Sequence, residues 1–203
     1  MEQTDQVFTS TSRAKAGNLL VLSGPSGVGK DTILEKALST VPGIKRSVSA
    51  TTRAMRPGEQ EGVDYFFCSK GEFQQLIDNE RLLEWAEFAG SRYGTPRQWV
   101  EEQLGNGHDV MLEIEVQGAG QIADRFPSVT LIFVMPPSLD ALEERLKGRG
   151  TESDEKIGQR LERARQEMAQ RPWFHYEIVN DEIDHAVESL VHIIYAQRCR
   201  IKK

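Results

Sequence analysis

The sequence predicts an α/β fold in which helices cover both faces of a parallel central sheet. Two observations support this prediction. Apolar, strand-like runs recur along the chain, and helical patterns separate most of them. One of these runs leads directly into a glycine-rich loop that a helical pattern follows. With 203 residues, of which 38% are hydrophobic and 28% charged, the chain has the size and composition of one globular domain with insertions.

The expected elements begin after a polar leader. Residues 1–17 are rich in Ser and Thr, lack the apolar stretch of a secretory signal, and are interpreted as a disordered extension. An organelle transit segment is the alternative, which Glu2 and Asp5 disfavour. Strands of the central sheet are expected at residues 18–23, 46–50, 109–114, 129–135 and 176–180. Two stretches, 51–98 and 138–171, interrupt the alternation.

The first interruption carries local signals of its own. Residues 64–67 form a short strand-like run. Ser69 and Glu72 then form a capping box that opens an amphipathic helix. Thr95 followed by Pro96 predicts the N-cap and first turn of another helix.

Composition excludes several classes of protein. The net charge of −6 argues against a general nucleic-acid binder. No stretch approaches the roughly 18 apolar residues that a membrane span requires. Cys68 and Cys199 lack the spacing of a structural zinc site. A reducing cytoplasm is therefore the expected setting.

The loop at residues 24–30, Gly-Pro-Ser-Gly-Val-Gly-Lys, is the strongest functional signal. Glycines at these spacings let consecutive backbone N–H groups turn toward an anion, and the helix that follows directs the positive end of its dipole to the same place. Lys30 adds a point charge that can reach the β- and γ-phosphates of a nucleotide. A glycine turn that binds nothing is the alternative, and the flanking strand and helix disfavour it.

Asp31 departs from the usual form of this motif, which has Ser or Thr after the lysine. That hydroxyl normally ligates Mg²⁺. A carboxylate is also a hard oxygen ligand, so Asp31 can contact the metal directly or through water. It would repel phosphate if no metal lay between them. We therefore expect nucleotide affinity to depend steeply on Mg²⁺.

A second anion site is indicated within residues 49–58, where Arg53 and Arg56 lie three apart beside hydroxyl residues. Guanidinium groups bind phosphate through two parallel charged hydrogen bonds. Two such groups and the hydroxyl of Tyr65 would suit a terminal phosphate. Two solvated loop arginines are the alternative, which the phosphate loop upstream disfavours because a phosphotransferase needs two phosphate sites.

Five separated motifs together resemble guanylate kinase, and they occur in the expected order. They are residues 24–30, 47–59, 62–67, 93–95 and 148–152. The resemblance covers about residues 18–200 and implies a P-loop three-layer fold with a small GMP-binding lobe and a helical lid. It also implies Mg²⁺-dependent transfer of the γ-phosphoryl group of ATP to GMP, and to dGMP, giving ADP and GDP.

The resemblance divides the chain as follows: extension 1–17, core 18–48, GMP-binding lobe 49–98, core 99–137, lid 138–171 and core 172–203. It assigns ATP binding to Gly24, Pro25, Ser26, Gly27, Val28, Gly29, Lys30, Asp31, Thr32 and Asn180. It assigns GMP binding to Ser49, Arg53, Arg56, Tyr65, Glu84, Tyr93, Thr95, Glu113 and Glu115. The implied catalytic residues are Lys30, Arg53, Arg145, Arg149 and Arg160.

The three implied base contacts make independent chemical sense. Guanine offers N1–H and an amino group as donors, and the carboxylate of Glu84 can accept both. Its O6 atom needs a donor, which the hydroxyl of Ser49 or Thr95 can supply. Adenine would leave some of these groups unpaired, at about 1–3 kcal/mol for each buried group. Taken alone, Glu84 would be interpreted as a solvated helix residue.

Glu113 and Glu115 lie two apart on an apolar strand, so strand alternation predicts that both side chains share one face. An acid at such a strand end beside a phosphate loop usually serves Mg²⁺, and Asp31 and Glu113 are the candidate metal ligands. A pair of surface or ion-paired carboxylates is the alternative. The second acid is commonly Asp in the family, so the longer Glu115 can shift a water or a base contact.

The arginine-rich second interruption, with a break expected at residues 148–150, corresponds to the lid. Arg145 and Arg149 would be neighbours on a helix that continued that far, and Arg160 follows after a loop. The resemblance implies that these three arginines approach the ATP phosphates when the lid closes. Arg163 and Arg165 are interpreted as solvated partners of Glu162 and Glu167.

Two other functions were weighed. A non-catalytic, peptide-binding domain of the same fold usually lacks the phosphate loop, which is intact here. A kinase of a phosphorylated ribose would fit Lys30 followed by Asp31, but Arg53, Arg56 and Glu84 favour GMP. The expected partners are ATP and GMP or dGMP, with no nucleic acid or membrane, and the expected state is a monomer or homodimer.

Overall fold

A computed structural model describes residues 16–148 and 153–201. Within those ranges the strands are β1 (Leu19–Ser23), β2 (Ile44–Arg46), β3 (Ser49–Thr51), β4 (Tyr65–Phe67), β5 (Leu82–Phe88), β6 (Ser91–Pro96), β7 (Asp109–Glu113), β8 (Thr130–Met135) and β9 (Tyr176–Val179). The helices are α1 (Lys30–Thr40), α2 (Lys70–Asp78), α3 (Arg97–Gly105), α4 (Val116–Arg125), α5 (Leu139–Lys147), α6 (Asp154–Ala169) and α7 (Ile183–Cys199).

The central sheet has five strands in the order β2-β7-β1-β8-β9, and every neighbouring pair is parallel. Its middle strand β1 is buried along its whole length because helices cover both faces. Leu20 and Leu22 pack with α1 and α7 on one face, whereas Leu19 and Val21 pack with α3 and α4 on the other. The predicted α/β fold with a parallel central sheet is therefore confirmed.

A second, smaller sheet has four strands in the order β4-β3-β6-β5. β3 and β4 pair in parallel, and the other neighbours are antiparallel. Helix α2 packs on this sheet through Phe73, which is fully buried beside Ala50 and Leu82. Helix α2 begins with the predicted capping box, in which Ser69 accepts from the Glu72 N–H at 3.2 Å and Glu72 accepts from the Ser69 N–H at 2.7 Å.

Two predictions from local sequence were wrong. The strand expected at residues 46–50 is split, because the chain leaves the central sheet after β2 and joins the small sheet as β3. Thr95 is not an N-cap: it lies in β6, and helix α3 begins at Arg97 with Pro96 at its N-cap. In both cases the pairing of strands distant in sequence decides the structure.

Helices α5 and α6 pack on each other through a separate apolar cluster, Leu142, Leu146, Ile157, Leu161 and Ala164. Helix α5 ends at Lys147 with Gly148 at its C-cap, and residues 149–152 lie outside the described residues. Of the predicted extension, residues 1–15 also lie outside them, and the Gly17 N–H donates to the Leu104 carbonyl at 2.9 Å. In the described ranges, no helix is long and apolar enough to cross a membrane.

Candidate active site

The glycine-rich loop connects the end of β1 to the start of α1, as predicted. Gly24, Gly27 and Gly29 have φ angles of 142°, 89° and 99°, a region that other residues rarely adopt. A side chain at Gly24 would also collide with the carbonyl oxygen of Val134 on β8. Gly29 is the N-cap of α1 and no side chain caps this helix end. The unpaired N–H groups of the first turn therefore face the loop and suit an anion.

Lys30 folds back over this loop. Its ammonium group donates to the carbonyl oxygen of Gly24 at 2.6 Å and to that of Pro25 at 3.2 Å. The positive charge of Lys30 therefore lies beside the backbone of the phosphate loop. This is the position from which it can neutralise a phosphate bound in the loop.

Arginines from α5 and α6 reach the same loop. Arg145 on α5 donates to the carbonyl oxygen of Val28 at 3.2 Å and to that of Asn180 at 2.8 Å. The Asn180 amide donates to the Val28 carbonyl at 2.7 Å, and Arg160 on α6 donates to the Ser26 hydroxyl at 2.7 Å. The structure therefore brings together Arg145, Arg160 and Asn180 at the loop, whereas Arg149 lies outside the described residues.

Two carboxylates meet beside Lys30. One guanidinium nitrogen of Arg46 lies 2.7 Å from an Asp31 oxygen and 2.9 Å from a Glu113 oxygen, so the cation bridges the pair. Burial raises the pKa of Glu113 to about 7; the charge of Asp31 raises it further, and Arg46 and Lys30 oppose the shift. These hard oxygen donors beside a phosphate loop form the type of ligand set that Mg²⁺ accepts together with nucleotide phosphates.

The predicted strand that carries both Glu113 and Glu115 is shorter in the structure. Strand β7 ends at Glu113, and Glu115 is the N-cap of α4, so strand alternation no longer applies to it. Glu113 pairs with Arg46, while Glu115 lies 3.6 Å from Arg163 on α6. Burial raises the pKa of Glu115 to about 7, and the charges of Lys30 and Arg163 oppose that shift.

Strand register in the small sheet brings together residues that were predicted to form a second anion site. Ser49 on β3 pairs with Tyr65 on β4. The Tyr65 ring lies 5.9 Å from that of Tyr93 on β6, and the guanidinium group of Arg53 lies 5.2 Å from the centre of the Tyr65 ring. Burial is the main cause that raises the pKa of Tyr65, and the charges of Tyr93, Asp31 and Glu113 add to it.

Glu59 orients the arginine clamp, a role the sequence did not predict. Its two carboxylate oxygens accept from the Arg53 guanidinium at 3.0 and 2.7 Å, and one also accepts from the Arg56 backbone N–H at 2.7 Å. The hydrogen bond from Arg53 is the main cause that lowers the pKa of Glu59. The Arg56 side chain is exposed at the rim of the site.

The candidate base contacts are buried. Glu84 on β5 and Thr95 on β6 are 3% and 0% exposed, and the Thr95 hydroxyl donates to a Glu84 carboxylate oxygen at 2.7 Å. Burial raises the pKa of Glu84 to about 7, and the bonds from Thr95 oppose that shift. Gly118 on α4 lies directly against Glu84, since an added Cβ would be 3.0 Å from its carboxylate carbon. The solvated-helix interpretation of Glu84 was therefore wrong.

Arg46 and Gly118 were also absent from the predicted site. Arg46 looks like an ordinary polar residue of an edge strand, and Gly118 looks like a helix residue among small neighbours. Their importance comes from contacts with Asp31, Glu113 and Glu84, which are distant in sequence. A single sequence gives no signal for either role.

A phosphate loop follows the carboxyl end of a strand in a parallel sheet. Arginines of α5 and α6 contact this loop, and a second sheet carries Arg53 beside Tyr65. This arrangement defines the class of P-loop phosphotransferases acting on nucleotides. A family model described as guanylate kinase matches residues 16–197. The chain belongs to the guanylate kinase family and is a nucleoside monophosphate kinase.

Individual relatives agree with this assignment. The chain is 51% identical over 187 residues to a guanylate kinase of Desulfitobacterium hafniense, covering 92% of this chain and 94% of that protein. It is 53% identical over 178 residues to a guanylate kinase of Synechocystis, covering 88% and 93% of the two chains. A crystal structure of guanylate kinase from Anaplasma phagocytophilum superimposes with a TM-score of 0.78 at 35% identity, covering 92% of this chain and 88% of the other.

Proposed function

We propose that the protein transfers the γ-phosphoryl group of ATP to GMP and to dGMP in a Mg²⁺-dependent reaction that gives ADP and GDP or dGDP. The observation that carries this proposal is the pairing of two sites. Lys30, Arg145 and Arg160 converge on the loop. The clamp around Arg53 and the buried pair of Glu84 and Thr95 lie on the adjoining sheet.

The acceptor base is selected by Glu84, Thr95 and Ser49. The ionised carboxylate of Glu84 accepts from two guanine donors, and the Ser49 hydroxyl donates to O6, because the Thr95 hydroxyl already donates to Glu84 and orients it. Because Glu84 and Thr95 are buried, a base with the wrong pattern leaves polar groups without partners. Arg53, Arg56, Tyr65 and Tyr93 hold the phosphate of the same nucleotide, with Glu59 fixing the direction of Arg53.

Catalysis rests on positioning and on fixed positive charge. A phosphate oxygen of GMP attacks the γ-phosphorus in line, and no covalent enzyme intermediate is needed. Lys30 and the lid arginines stabilise the charge that spreads over the transferred group, and Asn180 contacts the adenine side. Arg149 is proposed to join Arg145 and Arg160. Closure of the lid and of the GMP-binding lobe excludes water before transfer.

Asp31 and Glu113 are the residues that would hold Mg²⁺. When bound there, the ion would neutralise part of the phosphate charge. Arg46 already bridges the two carboxylates, which keeps them close together and partly compensates their charge. Glu115 is assigned to the GMP side of the site.

Asp31→Ser is expected to flatten the dependence of ATP affinity on Mg²⁺. Removing the carboxylate removes both a metal ligand and a charge that repels free phosphate. We expect ATP to bind about three- to tenfold more tightly in the presence of a chelator, equivalent to about 1 kcal/mol for a largely exposed charge. Isothermal titration calorimetry at stepped Mg²⁺ concentrations measures this. Asp184→Ser, which removes a surface partner of Lys36, is the control, and identical Mg²⁺ dependence in both variants contradicts the assignment.

GMP affinity is expected to fall as the pH drops below about 7. Burial raises the pKa of Glu84 to about 7, so its carboxyl group becomes protonated there and can no longer accept both guanine donors. The limiting loss is about tenfold per pH unit. The same raised pKa means that the folded state binds more protons than the unfolded state between pH 4.5 and 7, so stability from this group falls as pH rises through that window.

The control for this pH dependence is Glu84→Gln. GMP itself has a phosphate pKa of about 6, so some pH dependence comes from the ligand. The variant keeps that ligand titration and loses the Glu84 titration, which gives a baseline. Calorimetric titrations of GMP between pH 5.5 and 8 should show a shallower slope in the variant; parallel slopes would exclude Glu84 as the titrating group.

The proposed reaction is tested by ADP release with GMP, dGMP, AMP or no acceptor. Turnover with GMP and dGMP, at least a hundredfold above that with AMP, is the expected result. No turnover with GMP would exclude the reaction, and equal turnover with AMP would exclude the guanine assignment. We further propose the lobe division 18–48, 49–98, 99–137, 138–171 and 172–203, a cytoplasmic location, and a monomer or homodimer.

A further inference from the structure

Arg163 on α6 lies where three parts of the molecule meet. Its guanidinium carbon is 4.0 Å from the centre of the Phe88 ring, at the end of β5 in the small sheet. One of its nitrogens is 3.6 Å from Glu115 at the start of α4, which packs on the central sheet. Another donates to Glu167 on its own helix at 2.9 Å. Arg163 therefore contacts three parts of the molecule: its own lid helix α6, the small four-stranded sheet and the core.

Together, these contacts stabilise the junction more than one surface ion pair would. The side chains of Glu115 and Glu167 are only 27% and 10% exposed, and the two carboxyl groups are neighbours. A guanidinium group between them compensates both charges, and removing it leaves two partly buried carboxylates facing each other. The stacking of Arg163 on Phe88 adds a cation–π attraction.

Little other packing reinforces this junction. A cavity of about 800 Å³ opens between α4 and α6, and Glu115, Arg163, Glu167 and Trp173 are among the residues that line it. The apolar face of α6 packs on α5, and Arg163 reaches across to Glu115 at the start of α4 as a charged contact. The junction can therefore form and break without exposing a hydrophobic core.

Helix α6 also contacts the phosphate loop. Arg160 lies one helical turn before Arg163 and donates to the Ser26 hydroxyl at 2.7 Å. A rigid helix moves both residues together. The contacts of Arg163 with Glu115 and Phe88 therefore favour the hydrogen bond that Arg160 donates in the phosphate loop. The reverse also holds.

We propose that Arg163 is a positioning residue that couples closure of the lid over the phosphate loop to occupancy of the acceptor site. It does so by holding Glu115 and Phe88, which belong to the parts that flank the bound acceptor. The proposal rests on the proposed function, because it assumes that GMP binds beside Glu115. The proposed role of Arg163 is positioning, because it acts through Glu115 and Phe88.

The test measures coupling rather than activity. A non-hydrolysable ATP analogue is titrated by calorimetry with Mg²⁺, without GMP and with saturating GMP, and the ratio of the two Kd values is the coupling. We expect GMP to tighten analogue binding at least about fivefold in the unmodified protein. Arg163→Gln should bring the ratio close to one, and Arg163→Lys should retain part of it because the charge remains.

Arg165→Gln is the matched control, since Arg165 pairs with Glu162 at 3.1 Å on the same helix. It should leave the ratio unchanged. Phe88→Leu removes the stacking partner from the acceptor sheet, and its expected reduction of the ratio keeps the proposal testable if Arg163→Gln is unstable. A ratio unchanged in Arg163→Gln or Phe88→Leu, or lowered equally in Arg165→Gln, overturns the proposal.

Different results would contradict the proposed function and the proposed coupling by Arg163. If the unmodified protein bound no GMP, the proposed function would be wrong. If it bound GMP but showed a ratio of one, the coupling would be wrong while the function stood. A variant that weakens both nucleotides equally without changing the ratio indicates a structural role alone.

Discussion

Lys30→Met is expected to reduce the turnover number by about a hundredfold to a thousandfold, the usual cost of losing one group that stabilises charge in the transition state. Methionine keeps the length and apolar part of the side chain but removes the ammonium group. That group lies over the phosphate loop through its bonds to the carbonyls of Gly24 and Pro25. The KM for GMP should change much less, because the lysine lies on the donor side.

The control for this variant is Lys36→Met, on the same helix. Lys36 pairs with Asp184 at 3.0 Å on the surface, and both side chains are largely exposed. Its replacement should change turnover less than twofold, since such pairs contribute little. Circular dichroism and the Tm show whether both variants fold. Turnover of Lys30→Met within threefold of the unmodified protein would contradict a catalytic role for the lysine.

The donor site was predictable because its signals are local. Strand β1, the loop and α1 are consecutive in sequence, and glycine is required where φ is positive. The capping box of Ser69 and Glu72 is equally local. In each case the residues that interact lie within a few positions of one another, so spacing alone carries the information.

The residues proposed to bind GMP were identified only through the resemblance to a family. Glu84 and Thr95 lie on different strands, and burial of both follows from how β5 pairs with β6 and packs on α4. Local rules gave the wrong answer for each, a solvated helix residue and an N-cap. Tertiary pairing overrides local propensity when it provides a partner for a buried polar group.

Charge pairs across the fold were the least predictable feature. Arg46 lies 15 positions from Asp31 and 67 from Glu113. The expected partners of Arg163 and Arg165 on α6 were found, but the contacts of Arg163 with Glu115 and Phe88 were not foreseen. Periodicity identifies neighbours along one helix, whereas contacts between elements depend on the packing of the whole molecule.

Gly118→Ala is expected to raise the KM for GMP about tenfold to a hundredfold while leaving that for ATP nearly unchanged. The added Cβ would lie 3.0 Å from the carboxylate carbon of Glu84 and closer still to one of its oxygens. Glu84 is buried and bonded to Thr95, so it cannot move aside without losing that bond or its place opposite the base. Displacing a binding group by about 1 Å is enough for an effect of this size.

Gly120→Ala, on the same helix, is the control for effects of adding a methyl group to α4 that do not involve Glu84. No heavy atom lies within 4 Å of a Cβ at Gly120, so the change should leave both KM values alone and stabilise the helix by about 0.5–1 kcal/mol. The route through Glu84 is tested by combining variants. In a Glu84→Ala background the space beside Gly118 is empty, and Gly118→Ala should then cost nothing further. An additive loss in the double variant would mean that Gly118 acts on GMP binding by another path.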